Sequence, residues 1–313
     1  MGNVLRIGTR GSRLAKWQTE HVASRLRAAH PGLEIRVREF RTTGDRDRAT
    51  PLARLPGVGF FVKELEAALL DGRVDLAVHS MKDVPTQVPE GLEVGAVVPE
   101  RADVRDCLVT AAGMGLEDLP RGSVVGSSSP RRRAMLLAAR PDLVFVDLRG
   151  NVETRLRKLA EGACRATVLA RAGLERLGML DPRMRALAAD VLMPAAGQGA
   201  LGLEFRTSDD GVRRALAPLD HPPSRQAVAA ERALVRRLGA GCRTPLGVLG
   251  RVGAAGDLRL EAWLLAPDGR DAIRRSLSGE AAGAAALGTA LAEVLLADGA
   301  ARFLAPAGGD DDD

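Results

Sequence analysis

The sequence predicts an α/β protein of two or three domains, built from βαβ units in its earlier part and from a small α+β region with an antiparallel sheet in its last third. Three observations predict it. Short apolar runs alternate with segments of helical periodicity, and the pattern restarts around residue 100, as βαβ units and parallel sheets require. The last third changes to apolar stretches separated by Gly-Asp and Asp-Gly turns, which belong to antiparallel hairpins. At 313 residues the chain is also too long for one small core.

The elements follow in order. Val4 to Gly8 forms a strand, and Ser12 caps a helix carrying Leu14, Trp17, Val22 and Leu26. Leu33 to Phe40 alternates apolar and polar residues as a second strand. The segment Thr42 to Gly59, rich in Gly, Pro, Arg and Asp, is a lid or a disordered stretch. Phe61 opens a helix through Leu65, Ala68 and Leu69 that stops at Gly72, and Val74 to Val78 is a buried strand. Asp106–Thr110 and Ser123–Gly126 are strands, and Pro130 sits at the favourable first turn of the next helix. Val144–Leu148 and Ala166–Ala170 are strands flanking a helix through Leu156 and Leu159. Leu192 to Leu203 is a Gly- and Ala-rich crossing segment. A helix near Ser224–Leu238 precedes the loop Gly239-Ala240-Gly241-Cys242. Strands near 246–252, 258–266 and 270–278 and a helix from about 280 to 298 complete the chain.

Composition narrows the function. No apolar run approaches the ~18 residues that span a bilayer, and Met1 to Arg6 has no signal-peptide character, so a cytoplasmic protein is expected. Three cysteines without an export signal read as thiols, and four scattered histidines give no metal-ligand spacing, so no metal is expected. The net charge of +5 suggests nucleic acid, but with no Tyr and 3% aromatics there are few stacking platforms, and no nucleic-acid partner is expected. Only four of the 45 basic residues are lysines (Lys16, Lys63, Lys82 and Lys158), which sets these four apart as compact, titratable cations.

The chemistry concentrates at the carboxyl ends of strands, where open α/β sheets bind ligands beside helix N-termini. Four junctions carry anion-binding residues: Thr9-Arg10-Gly11-Ser12, Ser80-Met81-Lys82-Asp83, Ser127-Ser128-Ser129-Pro130-Arg131-Arg132-Arg133, and Arg149-Gly150-Asn151-Val152-Glu153-Thr154-Arg155. One such junction taken alone reads first as a helix cap with a surface salt bridge. Four at one end of the sheets form a site. With no Walker A or Gly-x-Gly-x-x-Gly motif, dispersed arginines suit a ligand with many carboxylates better than a nucleotide. Asp83 is either a loop salt-bridge partner or a carboxylate that stabilises a cation or shuttles protons. Cys107 and Cys164 have the setting of small buried hydrophobes. Cys242 lies on a glycine-rich loop beside Arg243, so a reactive thiolate and a packed thiol both stay open.

The motifs Ile7 to Ser12, Phe61 to Glu66, Ala77 to Pro85, Gly126 to Arg132, Leu148 to Val152, Pro194 to Ala200, Ala230-Glu231-Arg232 and Gly241-Cys242 resemble the porphobilinogen deaminase family, in order and from residue 4 to about 305. The resemblance implies two periplasmic-binding-protein-like lobes, residues 1–98 with 195–217 and residues 99–194. It also implies a third domain over 218–307, followed by a tail, 308–313. It implies a dipyrromethane cofactor held by Cys242 as a thioether and extended by porphobilinogen, each unit losing ammonia to give an electrophilic azafulvene. The linear tetrapyrrole is released after four additions.

Residue by residue, the resemblance assigns catalysis to Asp83, Lys82 and Arg10. Ser128, Ser129, Arg131, Arg132, Arg149 and Arg155 bind the cofactor with Lys82, Asp83 and Cys242, while Arg10, Ser12, Phe61, Arg149, Arg155 and Arg176 bind substrate. A monomer is expected. The sequence departs from the family pattern at Val58, where a lysine is common, and at Thr167, Arg171 and Glu175. A non-catalytic two-lobe carboxylate-binding protein is the competing reading.

Overall fold

The computed structural model describes residues 4–42, 62–98, 100–241 and 243–304. Two five-stranded sheets and one three-stranded sheet organise them. In the first lobe β1 (Val4–Arg10), β2 (Glu34–Phe40) and β3 (Leu76–Ser80) are parallel. β10 (Leu201–Arg206) lies antiparallel between β3 and β4 (Leu92–Val98), giving the order β2-β1-β3-β10-β4. The second lobe repeats this design. β6 (Val124–Gly126), β7 (Val144–Val146) and β8 (Ala166–Ala170) are parallel, and β5 (Asp106–Thr110) lies antiparallel between β8 and β9 (Arg185–Ala186).

Each sheet is therefore mixed where parallel sheets were expected. The reason is connectivity: β5 and β10 are the first strands after the chain crosses from one lobe to the other. Each enters its sheet from the crossing and not through a βα unit, so it runs against its neighbours. β10 also claims the end of the segment expected to be a plain crossing.

Helices cover both sheets. In the first lobe α1 (Arg13–Ala29) is capped by Ser12, whose hydroxyl accepts from the Ala15 N–H at 3.2 Å, and it buries Ala15, Val22, Ala23 and Leu26. Val22, Ala23 and Leu26 join Leu5, Ile7, Leu76, Val78 and Phe205 in one core. The helix expected from Phe61 starts at Lys63 as α2 (Lys63–Leu70); Phe61 itself lies outside the described residues. The second lobe carries α3 (Pro130–Ala139), α4 (Val152–Ala160) and α5 (Arg171–Arg176). After β10 comes α6 (Asp210–Leu216). Both α5 and α6 are too short to show a periodic stripe, and the sequence reading missed them.

The third domain packs α7 (Pro222–Leu238) and α8 (Ala284–Ala297) on the antiparallel sheet β11 (Leu246–Val252), β12 (Asp257–Leu265), β13 (Ala272–Glu280). Leu234, Val248, Leu260, Leu264 and Leu291 lie in its core. The opposite sheet face sets Leu249 and Leu265 into the core of the second lobe beside Met135 and Leu192. No helix among the described residues is long and apolar enough to cross a membrane.

Candidate active site

The parallel strands of each lobe end at the cleft. β1 delivers Arg10 and then Ser12, and its neighbour β3 delivers Ser80 and a 3-10 turn, Met81–Asp83, that presents Lys82 and Asp83. Gln18, buried on α1, ties these two junctions by donating to the Ser80 hydroxyl at 2.8 Å. In the second lobe β6 leads into Ser127, Ser128 and Ser129, and the Ser129 hydroxyl caps α3. β7 leads to Arg149, and Asn151 caps α4 by accepting from Thr154 at 2.9 Å.

Electrostatic coupling shows which of these groups converge. Lys82 feels Arg132, Asp83, Asp106 and Arg131, and Arg155 feels Arg132, Asp83 and Arg149. Asp83 of the first lobe thus faces cations of the second. Lys82 and Asp83 are both exposed to solvent, although protein walls surround the Lys82 ammonium. Desolvation by those walls, with Arg132 adding to it, brings the Lys82 ammonium down to about 8. The Arg155 guanidinium is drawn down to about 10 by desolvation and then by Arg132.

Donors remain unspent here. The buried Ser128 Oγ, Arg132 Nε and Arg149 Nη1 have no hydrogen-bond partner among the described residues. A buried donor without an acceptor is costly unless a ligand supplies one. Arg155 Nε spends itself on the Gly150 carbonyl at 2.8 Å, which fixes the side chain along the start of α4.

Arg131 and Arg132 have a duty the sequence reading did not assign. Asp106, fully buried at the start of β5, accepts from Arg131 Nη2 at 2.8 Å and from Arg132 Nη2 at 2.7 Å. Arg131 Nη1 also donates to the Met193 carbonyl, and Arg132 Nη1 to the Val168 carbonyl at 2.9 Å. Burial alone would raise the Asp106 carboxyl, but Arg132 and Arg131 outweigh it and hold it below the ordinary carboxylate range. The Arg131 guanidinium is thus mostly spoken for, whereas Arg132 Nε has no acceptor among the described residues.

Arg176, at the end of α5, bridges the lobes. Its Nη2 donates to the Gly199 carbonyl at 2.5 Å, and the guanidinium lies 6.0 Å from the Trp17 ring of α1. Arg13 adds a donation to the Leu177 carbonyl at 3.3 Å. The crossings themselves meet at Glu231, fully buried on α7. Its carboxylate accepts from Arg101 at 2.6 and 3.0 Å, from Gly197 N at 2.7 Å and from Gly250 N at 2.8 Å. Gly197 and Gly199 hold positive φ there, and a Cβ would meet Met81 at 2.6 Å and the Ala102 carbonyl at 2.5 Å, so only glycine fits.

Cys242 lies outside the described residues, as do Phe61 and Val58. Its neighbours Gly241 and Arg243 are exposed just beyond the C-terminus of α7. Cys107 and Cys164 are buried in the second lobe, and burial pushes the Cys107 thiol up to about 11. Asp106, Arg101, Gln198 and Glu231 escaped the sequence reading as working residues, although Gln198 and Glu231 stand inside motifs it singled out.

Residues 5–214 match the family model described as porphobilinogen deaminase, dipyromethane cofactor binding domain, and residues 225–297 match porphobilinogen deaminase, C-terminal domain. The porphobilinogen deaminase of Roseiflexus castenholzii is 50% identical over 305 residues, covering 97% of this chain and 100% of the relative. That of Geobacter sulfurreducens is 47% identical over 304 residues, covering 97% and 94%. Among solved structures, the Bordetella pertussis BvgS periplasmic VFT2 domain is similar with a TM-score of 0.42 and 16% identity, covering 68% of this chain and 85% of that one.

Proposed function

The chain belongs to the porphobilinogen deaminase family, and from that premise we propose how its own residues divide the work of condensing four porphobilinogen molecules, with loss of ammonia, into hydroxymethylbilane. The observation that carries the assignment is one carboxylate, Asp83, facing cations of both lobes at the strand ends, beside the unspent donors of Ser128, Arg132 and Arg149.

Those donors fit the family's cofactor. Dipyrromethane presents acetate and propionate carboxylates, and hydroxyl and guanidinium N–H groups are the complementary partners. Ser128, Ser129, Arg132, Arg149, Arg155 and Lys82 hold it, with Arg131 kept in place by Asp106, and Cys242 carries it as a thioether. When bound, dipyrromethane supplies the pyrrole α-carbon to which substrate units are joined.

Arg10, Ser12 and Arg176, together with Phe61, receive the carboxylates and ring of porphobilinogen. Asp83 accepts from pyrrole N–H, stabilises positive charge as ammonia departs, and takes up and returns protons. Lys82 and Arg10 hold carboxylates so that the reacting carbons meet in one geometry. The protein works as a cytoplasmic monomer without nucleic acid.

Intact-mass measurement of the purified protein tests this. The expected mass exceeds the chain mass by one dipyrromethane, with a pyrrole colour reaction in acidic aldehyde, and both are lost in Cys242→Ala. An active preparation of unmodified mass would overturn the covalent assignment.

A further inference from the structure

We propose that Gln198 is a positioning residue for Lys82: its amide, locked between the two interlobe crossings, presents a neutral oxygen that aims the lysine ammonium into the cleft without cancelling its charge. The proposal rests on the reading of Lys82 as a carboxylate-binding cation.

Gln198 Oε1 accepts from Lys82 Nζ at 3.3 Å, and Nε2 donates to the Val104 carbonyl at 2.7 Å. A backbone carbonyl only accepts, so the NH2 end must face Val104 and the oxygen must face the lysine. The backbone of Gln198 is pinned as well. Its N–H donates to the Ala195 carbonyl at 3.0 Å, and its carbonyl accepts from Arg101 Nε at 2.8 Å. At 1% exposure the side chain is buried, and its two hydrogen bonds hold its orientation. The residue therefore touches both crossings, and its remaining contact reaches a cation of the site.

The chemistry explains an amide at this place. An ammonium has three N–H donors; a neutral acceptor takes one and leaves two, with the full charge, for a ligand's carboxylate. A carboxylate at 198 would pair with the Lys82 ammonium and compete with the ligand. An apolar side chain would leave the flexible lysine stem unaimed. Lys82 is poised to feel such a change, because desolvation and Arg132 already bring it down to about 8.

The test compares wild type, Gln198→Met, Gln198→Glu, Lys82→Met and the double variant Gln198→Met/Lys82→Met. Each is checked for cofactor load by intact mass and assayed with porphobilinogen for kcat and KM between about pH 6.5 and 10. Gln198→Met is expected to raise KM roughly fivefold at normal load, as loss of one orienting hydrogen bond would, and to add nothing in the Lys82→Met background. Gln198→Glu is expected to raise KM at neutral pH and to move the alkaline limb of kcat/KM up by about one pH unit. An effect of Gln198→Met that persists in full without Lys82, or an unmoved alkaline limb in Gln198→Glu, would reduce Gln198 to a packing residue. Should Gln198→Met not fold, the isosteric Gln198→Glu decides through its pH profile alone. Lys82→Met impaired beside wild-type-like Gln198 variants would sink the proposal and leave the site assignment standing. Lys82→Met indistinguishable from wild type would sink both.

Discussion

Asp106→Asn keeps the shape of a buried side chain and removes the charge that two guanidiniums share. In the wild type the Asp106 oxygens accept from Arg132 and Arg131 at 2.7 and 2.8 Å, with the carboxylate fully buried and both arginines 6% exposed. The asparagine replaces one acceptor with an NH2 group that points at a guanidinium. Removing one partner of a buried pair costs ~3–5 kcal/mol because the other charge stays buried. Here two charges stay, but each arginine keeps a carbonyl acceptor, so a loss of about 4 kcal/mol is expected. With m near 2–3 kcal/mol/M, the urea midpoint should fall by roughly 1.5 M. Trp263, half-packed on the core of the second lobe, reports the transition once Trp17, the other tryptophan, is changed to Phe. The sign with pH follows from a depressed folded-state carboxyl. The stabilisation is complete above the unfolded value near ~3.9 and disappears as pH falls through the folded one, so wild type and variant should converge in acid. A loss under about 1 kcal/mol at pH 7, or one that persists unchanged in acid, would refute the charge argument.

Other consequences can be measured separately. Asp83→Ala should abolish turnover while thermal unfolding stays within a few degrees of wild type, because Asp83 is exposed in the cleft; near-normal kcat would leave the carboxylate no chemical role. Cys107→Ala and Cys164→Ala should retain activity, and in the native protein neither thiol should react with iodoacetamide at pH 7, as peptide mapping would show. Desolvation, with Glu204 nearby, raises the buried Glu66 carboxyl to about 7. Its contribution is complete below the unfolded value near ~4.3 and is lost as pH rises through about 7. Glu66→Gln should therefore flatten the fall in stability over that window by about 3 kcal/mol, read from urea midpoints at several pH values.

The strand-end junctions were legible because apolar strands stop abruptly at Gly, Ser, Arg and Asp, and each stop sits where ligands bind in such sheets. Arg10, Lys82, Asp83, Ser128, Arg149 and Arg155 could be named from that alone. Strand direction was not legible: β5 and β10 look like any buried strand, and only the order of crossings turns them against their neighbours. Asp106 was missed because an acid opening an apolar strand resembles an ordinary loop-end residue, and its partners lie 25 and 26 positions away. The Lys82–Gln198 bond joins residues 116 apart, beyond any local pattern.

Glu231 has a mechanical meaning. Four N–H groups, from both crossings and from β11, occupy its two oxygens. No acceptor is left over to soften the joint, so the crossings behave there as one welded beam. Gly250 of β11 shares the joint, so one carboxylate ties both crossings to the third domain.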